Sequence, residues 1–407
     1  MLTSLNLMRW NAELRDQIDH TILPYWDNKM IDPRGGHYGG RGLQDELNDH
    51  LPRTAVLGTR LLWTFATAAR LTGDARWRGV AEHAWVWMRD VLTDPVHGGV
   101  FWSVTADRRV LADHKQSYAQ GFAIYAAAAW ARAGGSGALD YAQSLYQLLE
   151  AAHDPRHGGY FEGCSRDWQV KEDARLSLKE PPAAKSMNTM LHVLEGLTEL
   201  LRVWPDEHVR DRLMELTSLF IDKIWHPQRR SFGLFFEPDW TPIGETISYG
   251  HDIEAAWLLR RACEVLPGWA RAGKVDRIAA QVAQAVLERG VAPDGSVLAE
   301  GQPDGPTAWE RHWWAQAEAM VGFWDAHQLT GDATLAEASW RCWDFIRTRH
   351  VDPVGGDWFK VLDRHGSPIR AYGKAGPWEC PYHHARACFE MLDRLGAAAH
   401  VRGSVAA

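Results

Sequence analysis

The chain of 407 residues has little of what would suggest an extracellular or membrane protein. It contains five cysteines and no Cys-X-X-Cys pair, so we expect reduced thiols rather than a disulfide framework. No apolar run reaches the roughly 18 residues that a membrane span requires. The first residues turn polar too early for a signal peptide. The sequence therefore predicts a cytoplasmic protein without a membrane partner.

Positive charge is also scarce, since 44 lysines and arginines face 52 acidic residues and the net charge is -8. A nucleic-acid partner is not expected, because nucleic acids select for basic surfaces. The sequence has no P-loop, no Gly-X-Gly-X-X-Gly between a strand and a helix, and no His-Glu-X-X-His or cysteine cluster. We therefore predict that the protein uses neither a cofactor nor a metal.

Tryptophan, in contrast, is abundant, with 22 in the chain. Its flat face covers the C–H patches of a sugar ring while its N–H stays available for hydrogen bonding. Most of these side chains are expected in the core, including Trp63, Trp130 and Trp257. The remainder suit a sugar-binding pocket.

A turn of the form Asp-Pro, followed closely by Gly-Gly and an aromatic residue, recurs along the chain. Clear copies start at Asp32, Asp94, Asp154 and Asp352, and weaker copies start near residues 226 and 292. Each turn is followed by a short strand pattern, such as residues 99–104, and by two helical patterns. Six such units predict an all-α (α/α)6 barrel with short β-hairpins at one rim, in a single domain over residues 1–407.

The predicted barrel also locates a site, because loops that precede inner helices converge at one rim. The first inner helix carries Arg60, and the second is expected to open at Lys115 and to present Tyr118. The third is expected to open at Lys185. There Asn188 and His192 are four residues apart and share a helix face.

The remaining openings are predicted at Ser248, Arg311 and Gly376, and they bring further titratable residues. His251 and Glu254 are three residues apart, so the carboxylate is expected to orient or charge-balance that imidazole. His383 adds a histidine from the sixth helix. Three histidines converging from different repeats suit proton transfer near neutral pH. A metal held by His192, His251, Glu254 and His383 is an alternative, although no dedicated ligand spacing supports it.

Residues 60–65, 187–192, 250–254, 312–318 and 378–383 together resemble the N-acylglucosamine 2-epimerase superfamily, above all its cellobiose 2-epimerase branch. The similarity runs along nearly the whole chain, in the same order. It implies an (α/α)6 barrel and an isomerase that inverts carbon 2 of a reducing sugar without metal or nucleotide.

The resemblance also implies roles for individual residues. His251 and His383 match two acid/base histidines on opposite sides of C2. His192 matches a histidine that assists ring opening, and Arg60 matches the arginine that holds the enediolate oxygen. Glu254 matches the carboxylate beside the first histidine.

Four further positions are predicted to bind substrate. Trp314 and Trp378 match aromatic walls that stack on the sugar. Tyr118 and Asn188 are placed by their positions at helix starts, with packing or capping as the alternative. The predicted partner is a small-molecule sugar, and the predicted assembly is a monomer or homodimer.

The chain departs from the cellobiose branch at Met190, Glu379 and His384, beside the site, which leaves the sugar open between cellobiose and mannose or glucose. Three alternatives to epimerisation also stay open. An aldose–ketose isomerase would share the first step. A glycoside hydrolase would require two carboxylates flanking the bond, for which Asp252, Glu254, Glu318 and Glu379 are the candidates. A non-catalytic sugar-binding barrel would leave the histidines unused.

Overall fold

The computed structural model describes residues 4–405, with side chains for residues 5–396. Thirteen α-helices lie within this part of the chain. They are α1 (Ser4–Asp16), α2 (Leu23–Met30), α3 (Ala55–Thr72), α4 (Ala75–Trp87), α5 (Ser117–Arg132), α6 (Ala138–Leu149), α7 (Met187–Val203), α8 (Glu207–Leu219), α9 (Tyr249–Glu264), α10 (Ala272–Arg289), α11 (Trp313–Thr330), α12 (Ala333–Phe345) and α13 (Tyr382–Val405).

Six of these helices form a closed inner ring. Successive members α3, α5, α7, α9, α11 and α13 pack side by side, and α13 closes the ring on α3. The inner helices are buried around most of their circumference, as in α3, where every residue from Ala55 to Ala69 is buried. Each packs against one outer helix: α4, α6, α8, α10, α12 or, for α13, α1. The (α/α)6 barrel predicted from the repeat is confirmed, and Trp63, Trp130 and Trp257 lie in its core.

No helix in the described part of the chain is both long enough and apolar enough to cross a bilayer.

Fifteen short strands lie in the loops of the described chain. They are β1 (Arg53–Thr54), β2 (Ser103–Val104), β3 (Val110–Ala112), β4 (Lys115–Gln116), β5 (Gly163–Cys164), β6 (Lys185–Ser186), β7 (Trp225–His226), β8 (Ser231–Phe232), β9 (Phe235–Phe236), β10 (Pro242–Ile243), β11 (Ile247–Ser248), β12 (Glu300–Gln302), β13 (Gly305–Ala308), β14 (Arg311–His312) and β15 (Val361–Leu362).

The strands tie neighbouring repeats together at one rim. The strand ahead of an inner helix pairs antiparallel with a strand of the following repeat, as in β1 with β2, β4 with β5 and β14 with β15. The strand predicted over residues 99–104 is shorter than expected and covers only Ser103–Val104. The preceding backbone bonds to helices instead: the N–H of Phe101 donates to the carbonyl of Leu92, and the carbonyl of Trp102 accepts from the N–H of Ala55.

The predicted helix openings are displaced for the same reason. Lys115, Lys185, Ser248 and Arg311 lie in strands, so the four helices begin one or two residues later. The sixth inner helix begins at Tyr382 rather than at Gly376. Pro381 disfavours helical backbone at the residue before it, so residues 376–381 form a loop.

The repeated aspartates build the turns. The carboxylate of Asp94 accepts the backbone N–H groups of Val96 (2.9 Å) and His97 (3.3 Å), and it pairs with Lys115 at 3.0 Å. Gly99 follows with φ +71°, and an added Cβ there would lie 2.5 Å from Trp168. Equivalent ion pairs recur in other repeats: Asp32–Arg53, Asp154–Lys185 and Asp352–Lys374. Each pair holds the residues ahead of an inner helix (α3, α5, α7 or α13) against a turn and thereby places the helix start at the rim.

Candidate active site

A cavity of about 260 Å³ opens at the rim where the inner helices begin. All nine residues predicted from sequence line it: Arg60, Tyr118, Asn188, His192, His251, Glu254, Trp314, Trp378 and His383. The structure also brings in lining residues that were not predicted: Leu176, Ser177, Glu180, His312, Trp313, Val361 and Tyr372. Glu379, expected beside the site, lines the cavity as well. Leu176, Ser177 and Glu180 come from a loop without regular structure, so no periodic signal pointed to them.

His383 stands at the start of α13 and is 6% exposed. Its Nδ1 lies 2.7 Å from Glu318 Oε1 and 3.8 Å from Glu254 Oε1. Burial, with the charges of Arg60 and Arg386, holds the pKa of His383 well below its usual range. The imidazole is therefore neutral, with Nδ1–H donating to the Glu318 carboxylate, which leaves the lone pair on Nε2.

His251 has a different environment. Its Nδ1 lies 2.8 Å from the hydroxyl of Ser248, and no carboxylate of the described residues hydrogen-bonds to it. Burial lowers its pKa to about 3, with smaller contributions from His192 and His312. The expectation that Glu254 orients His251 is wrong. Glu254 instead accepts from Arg386 at 2.5 Å and lies on the His383 side.

Trp314 connects the two histidines. Its ring centroid lies 4.6 Å from that of His251 and 5.7 Å from that of His383. His192 lies farther along the wall and contacts the rings of Phe122 (4.6 Å) and Tyr118 (5.0 Å). The three imidazoles therefore border one shared space.

His192 has its own carboxylate partner, because its Nδ1 lies 3.0 Å from Glu195 Oε2. Burial alone would raise the pKa of Glu195, but Arg386 and His192 outweigh it and lower that pKa to about 2. Glu195 is therefore ionised and accepts from His192.

Arg60 carries an uncompensated positive charge. It is 2% exposed, and its Nη2 donates to the hydroxyl of Tyr118 at 2.6 Å. Its guanidinium lies over the rings of Phe122 (4.3 Å) and Tyr382 (5.0 Å). Among the described residues no carboxylate lies within ion-pair distance of it. A buried cation of this kind attracts negative charge that develops in the cavity.

The substrate-facing wall also offers free hydrogen-bonding capacity. Asn188 Oδ1 is buried and has no hydrogen-bond partner among the described residues. Trp378 packs against Tyr118 at 5.8 Å and Trp102 at 6.0 Å between ring centroids, which leaves a partly buried indole at the cavity. A polyhydroxylated ring suits this combination of an amide and indole surfaces.

Sequence reasoning missed the polar layer beneath the cavity. Arg386, from the second turn of α13, donates to Glu195, Glu254 and Glu318. Burial raises the pKa of Glu318 to about 6 and that of Glu254 to about 7, with Arg386 opposing both shifts. The only local signal was the spacing of Glu195 three residues after His192. Glu318 and Arg386 lie far from their partners in sequence.

This layer bears on two of the alternatives. Glu254, Glu318 and His383 have ligand-type atoms within 4.8 Å of one another, as a metal site would. Arg386 already donates to both carboxylates, so a guanidinium supplies the positive charge there. Two carboxylates held by one arginine are also poorly arranged to flank a glycosidic bond. Asp252, another hydrolase candidate, accepts from the N–H of Phe232 and does not line the cavity.

Fold and cavity together define the class: an (α/α)6-barrel enzyme with a histidine-lined pocket at one rim. The chain belongs to the N-acylglucosamine 2-epimerase family, whose sequence model matches residues 36–387. A cellobiose 2-epimerase from Bacteroides fragilis is 38% identical over 388 residues, covering 93% of this chain and 98% of that protein. A D-mannose isomerase from Thermobifida fusca is 26% identical over 329 residues, covering 77% of each chain.

A solved structure has the same fold. The cellobiose 2-epimerase from Bacillus thermoamylovorans superposes with a TM-score of 0.91 at 34% identity, covering 95% of this chain and all of that one. The family and the isomerase class expected from the sequence are thereby confirmed.

Proposed function

We propose that the protein is a sugar 2-epimerase that inverts C2 of a reducing aldose, converting cellobiose to glucosyl-mannose, interconverting glucose and mannose, or both. The observation that carries the proposal is that two neutral histidines from different helices contact one tryptophan, in a cavity that also holds the unpaired charge of Arg60. The cellobiose 2-epimerases among the relatives support the reaction and the sugar.

The first step is proton abstraction by His383. Its Nε2 lone pair takes the proton from C2 of the opened sugar, and the C–H electrons form the C1–C2 double bond of an enediolate. Glu318, which accepts from Nδ1 at 2.7 Å, stabilises the imidazolium that results.

The enediolate places negative charge on O1. Arg60 is a preorganised cation for that oxygen, and it need not be drawn away from a carboxylate partner. Tyr118 holds the guanidinium in place through the 2.6 Å hydrogen bond. This stabilisation is what makes a weakly acidic C2 proton accessible to a neutral imidazole.

The second step is reprotonation by His251 on the opposite face. His251 is neutral at rest, so it first takes up a proton from solvent water. The protonated form then gives that proton to C2 readily, because its surroundings strongly disfavour the charged form and lower its pKa. One turnover therefore moves a proton from His251 to His383, and exchange with water resets both. The reverse reaction uses the same two groups with their roles exchanged.

Ring opening and sugar binding involve the rest of the pocket. His192, oriented by Glu195, assists ring opening at O1 or O5. Trp314 and Trp378 stack on the sugar, and Asn188 hydrogen-bonds to a hydroxyl. Only groups within the described chain are required for these steps.

The second candidate function is aldose–ketose isomerisation, such as mannose to fructose. It shares deprotonation at C2 and differs by returning the proton to C1. The relative named D-mannose isomerase supports it, since the same fold family includes that reaction.

Proton NMR of the purified protein in D2O tests the proposal, with cellobiose, mannose and glucose supplied separately. Deuterium at C2 together with the inverted epimer supports the epimerase, and the relative rates identify the sugar. A ketose product would favour the isomerase instead. Absence of exchange in all three sugars would contradict both.

We propose further that residues 1–407 act as one catalytic domain, supported by the closure of the inner ring between α13 and α3. A cytoplasmic location is proposed on the five cysteines, all of which are free thiols. A monomer or homodimer remains the proposed assembly.

A further inference from the structure

The layer beneath the cavity contains more acid than base. Three carboxylates, those of Glu195, Glu254 and Glu318, surround the single guanidinium of Arg386. Each of these four side chains is less than 5% exposed. Water therefore screens these charges little, and the positive charge of Arg386 is the main one that stabilises the ionised carboxylates.

Arg386 contacts the three carboxylates through its two terminal nitrogens. Nη1 donates to Glu195 and to the hydroxyl of Tyr382. Nη2 donates to Glu254 Oε1 at 2.5 Å and to Glu318 Oε1 at 2.7 Å. The planar guanidinium donates to Glu195 on one side and to Glu254 and Glu318 on the other, an arrangement that the compact ammonium of a lysine does not reproduce.

Two of these carboxylates each hold a histidine of the cavity. Glu195 Oε2 lies 3.0 Å from Nδ1 of His192, and Glu318 Oε1 lies 2.7 Å from Nδ1 of His383. Both histidines consequently keep the proton on Nδ1 only while these carboxylates remain ionised. Loss of the arginine would favour protonation of the carboxylates or of the imidazoles.

We infer that Arg386 is a positioning residue that sets the tautomers of His192 and His383 together, by keeping Glu195 and Glu318 ionised. Arg386 is not among the residues that line the cavity, so it acts through the carboxylates that it contacts. The inference rests on the proposed function for its catalytic consequence, whereas the tautomers are measurable without any substrate.

The experiment is long-range ¹H–¹⁵N correlation NMR on protein labelled at histidine nitrogens, with the resonances of His192 and His383 assigned from single His→Gln variants. In the wild type at pH 7 to 8 we expect both rings to carry the proton on Nδ1, where Glu195 and Glu318 accept it. In Arg386→Gln the resonances of both rings should depart from those of the wild-type tautomer together at neutral pH. The rate constant kcat should fall about 100-fold, with KM changed much less.

Partial variants separate the two sides. Glu195→Gln should change the His192 resonances alone, and Glu318→Gln should change those of His383 alone. Arg386→Lys keeps the charge and should retain more of the Nδ1–H form at both histidines than Arg386→Gln does. Arg386→Lys is also the variant to measure if Arg386→Gln does not fold.

Arg394 provides the matched control. It lies on the same helix, two turns beyond Arg386, and donates to Asp325 Oδ1 at 2.7 Å, away from the cavity. Arg394→Gln should leave both histidine spectra and kcat unchanged. Unchanged histidine spectra in both Arg386 variants would overturn the inference. If the spectra change in the Arg386 variants but the wild-type protein epimerises no sugar, the inference stands and the proposed function is contradicted.

Discussion

The two sides of the cavity present the same residue to the substrate in opposite surroundings. His383 has a carboxylate on Nδ1, a second carboxylate 3.8 Å away and an arginine beneath them. Among the described residues, the hydrogen-bond partner of His251 is the Ser248 hydroxyl alone, at 2.8 Å. His383 is buried and His251 is partly buried, and the pKa of each is lowered, so both imidazoles are uncharged. Because only the His383 side has anions to stabilise an added proton, we infer that it is the better base and that protonated His251 is the better acid.

The two histidines also show that burial and hydrogen-bond partners have separate effects on protonation. Burial lowers the pKa of both histidines, so both are neutral near pH 7. What differs is the state after proton transfer, where an imidazolium beside Glu318 is stabilised and one beside Ser248 is not. The predictions below test this asymmetry, starting with the largest expected effect.

Replacing either histidine should abolish net epimerisation. We expect His251→Gln and His383→Gln each to lower kcat by about 1,000-fold, since each removes one proton carrier. They should differ in exchange with D2O. His251→Gln should still exchange C2 of the epimer whose hydrogen faces His383, whereas His383→Gln should exchange only the other epimer.

Proton NMR of both epimers in D2O measures this difference. His327→Gln is the control, because that residue bonds to the carbonyl of Asp332 at the far end of α11. Equal exchange of both epimers by both variants would contradict a two-base mechanism.

The carboxylate on the His383 side should be the next most important group. Glu318→Gln replaces the charged acceptor of Nδ1–H with an amide, and we expect kcat to fall about 100-fold. Steady-state kinetics measures the loss. Asp325→Asn is a control on the same helix, since Asp325 bonds to Arg260 and Arg394 rather than to a cavity residue. Full activity of Glu318→Gln would contradict the assignment of His383 as the carboxylate-supported base.

The same carboxylate predicts a pH dependence. Burial raises the pKa of Glu318 to about 6, and above that pH the group is ionised and accepts from His383. As the pH falls through 6, Glu318 gains a proton and loses this role, so kcat should drop about 10-fold between pH 7 and pH 5. The pH profile of kcat measures it, and Glu318→Gln should flatten this limb. If Glu318→Gln shows an equal fall of kcat between pH 7 and pH 5, that fall belongs to another titrating group.

The smallest effect is expected on the His251 side. Ser248→Ala removes one neutral hydrogen bond, for which a loss of about 3- to 10-fold in kcat is expected. Ser339→Ala is the control, since that hydroxyl donates to the carbonyl of Met320 outside the cavity. If Ser248→Ala matched Glu318→Gln in its effect, the proposed asymmetry between the two sides would be wrong.

Local chemistry explains why the fold was predictable. Asp94 accepts from the backbone two and three residues ahead, and Gly99 adopts a positive φ, so the turn is specified within eight residues. The helices that follow have continuous apolar patterns. The strand at 99–104 and the helix start at Gly376 were misplaced because hydrogen bonds to distant helix ends and a proline decided those boundaries.

The sequence by itself determined the six-unit barrel and its active rim, since each depends on local turns and helix starts. Together with the family resemblance it also identified nine of the seventeen residues that line the cavity. Only the tertiary structure decided which group supports which histidine. Glu254 is three residues from His251, yet it turns to Arg386, which is 132 residues away in sequence. Burial makes an unpaired charge so costly that the nearest buried counter-charge in space, rather than the nearest neighbour in sequence, fixes the partner.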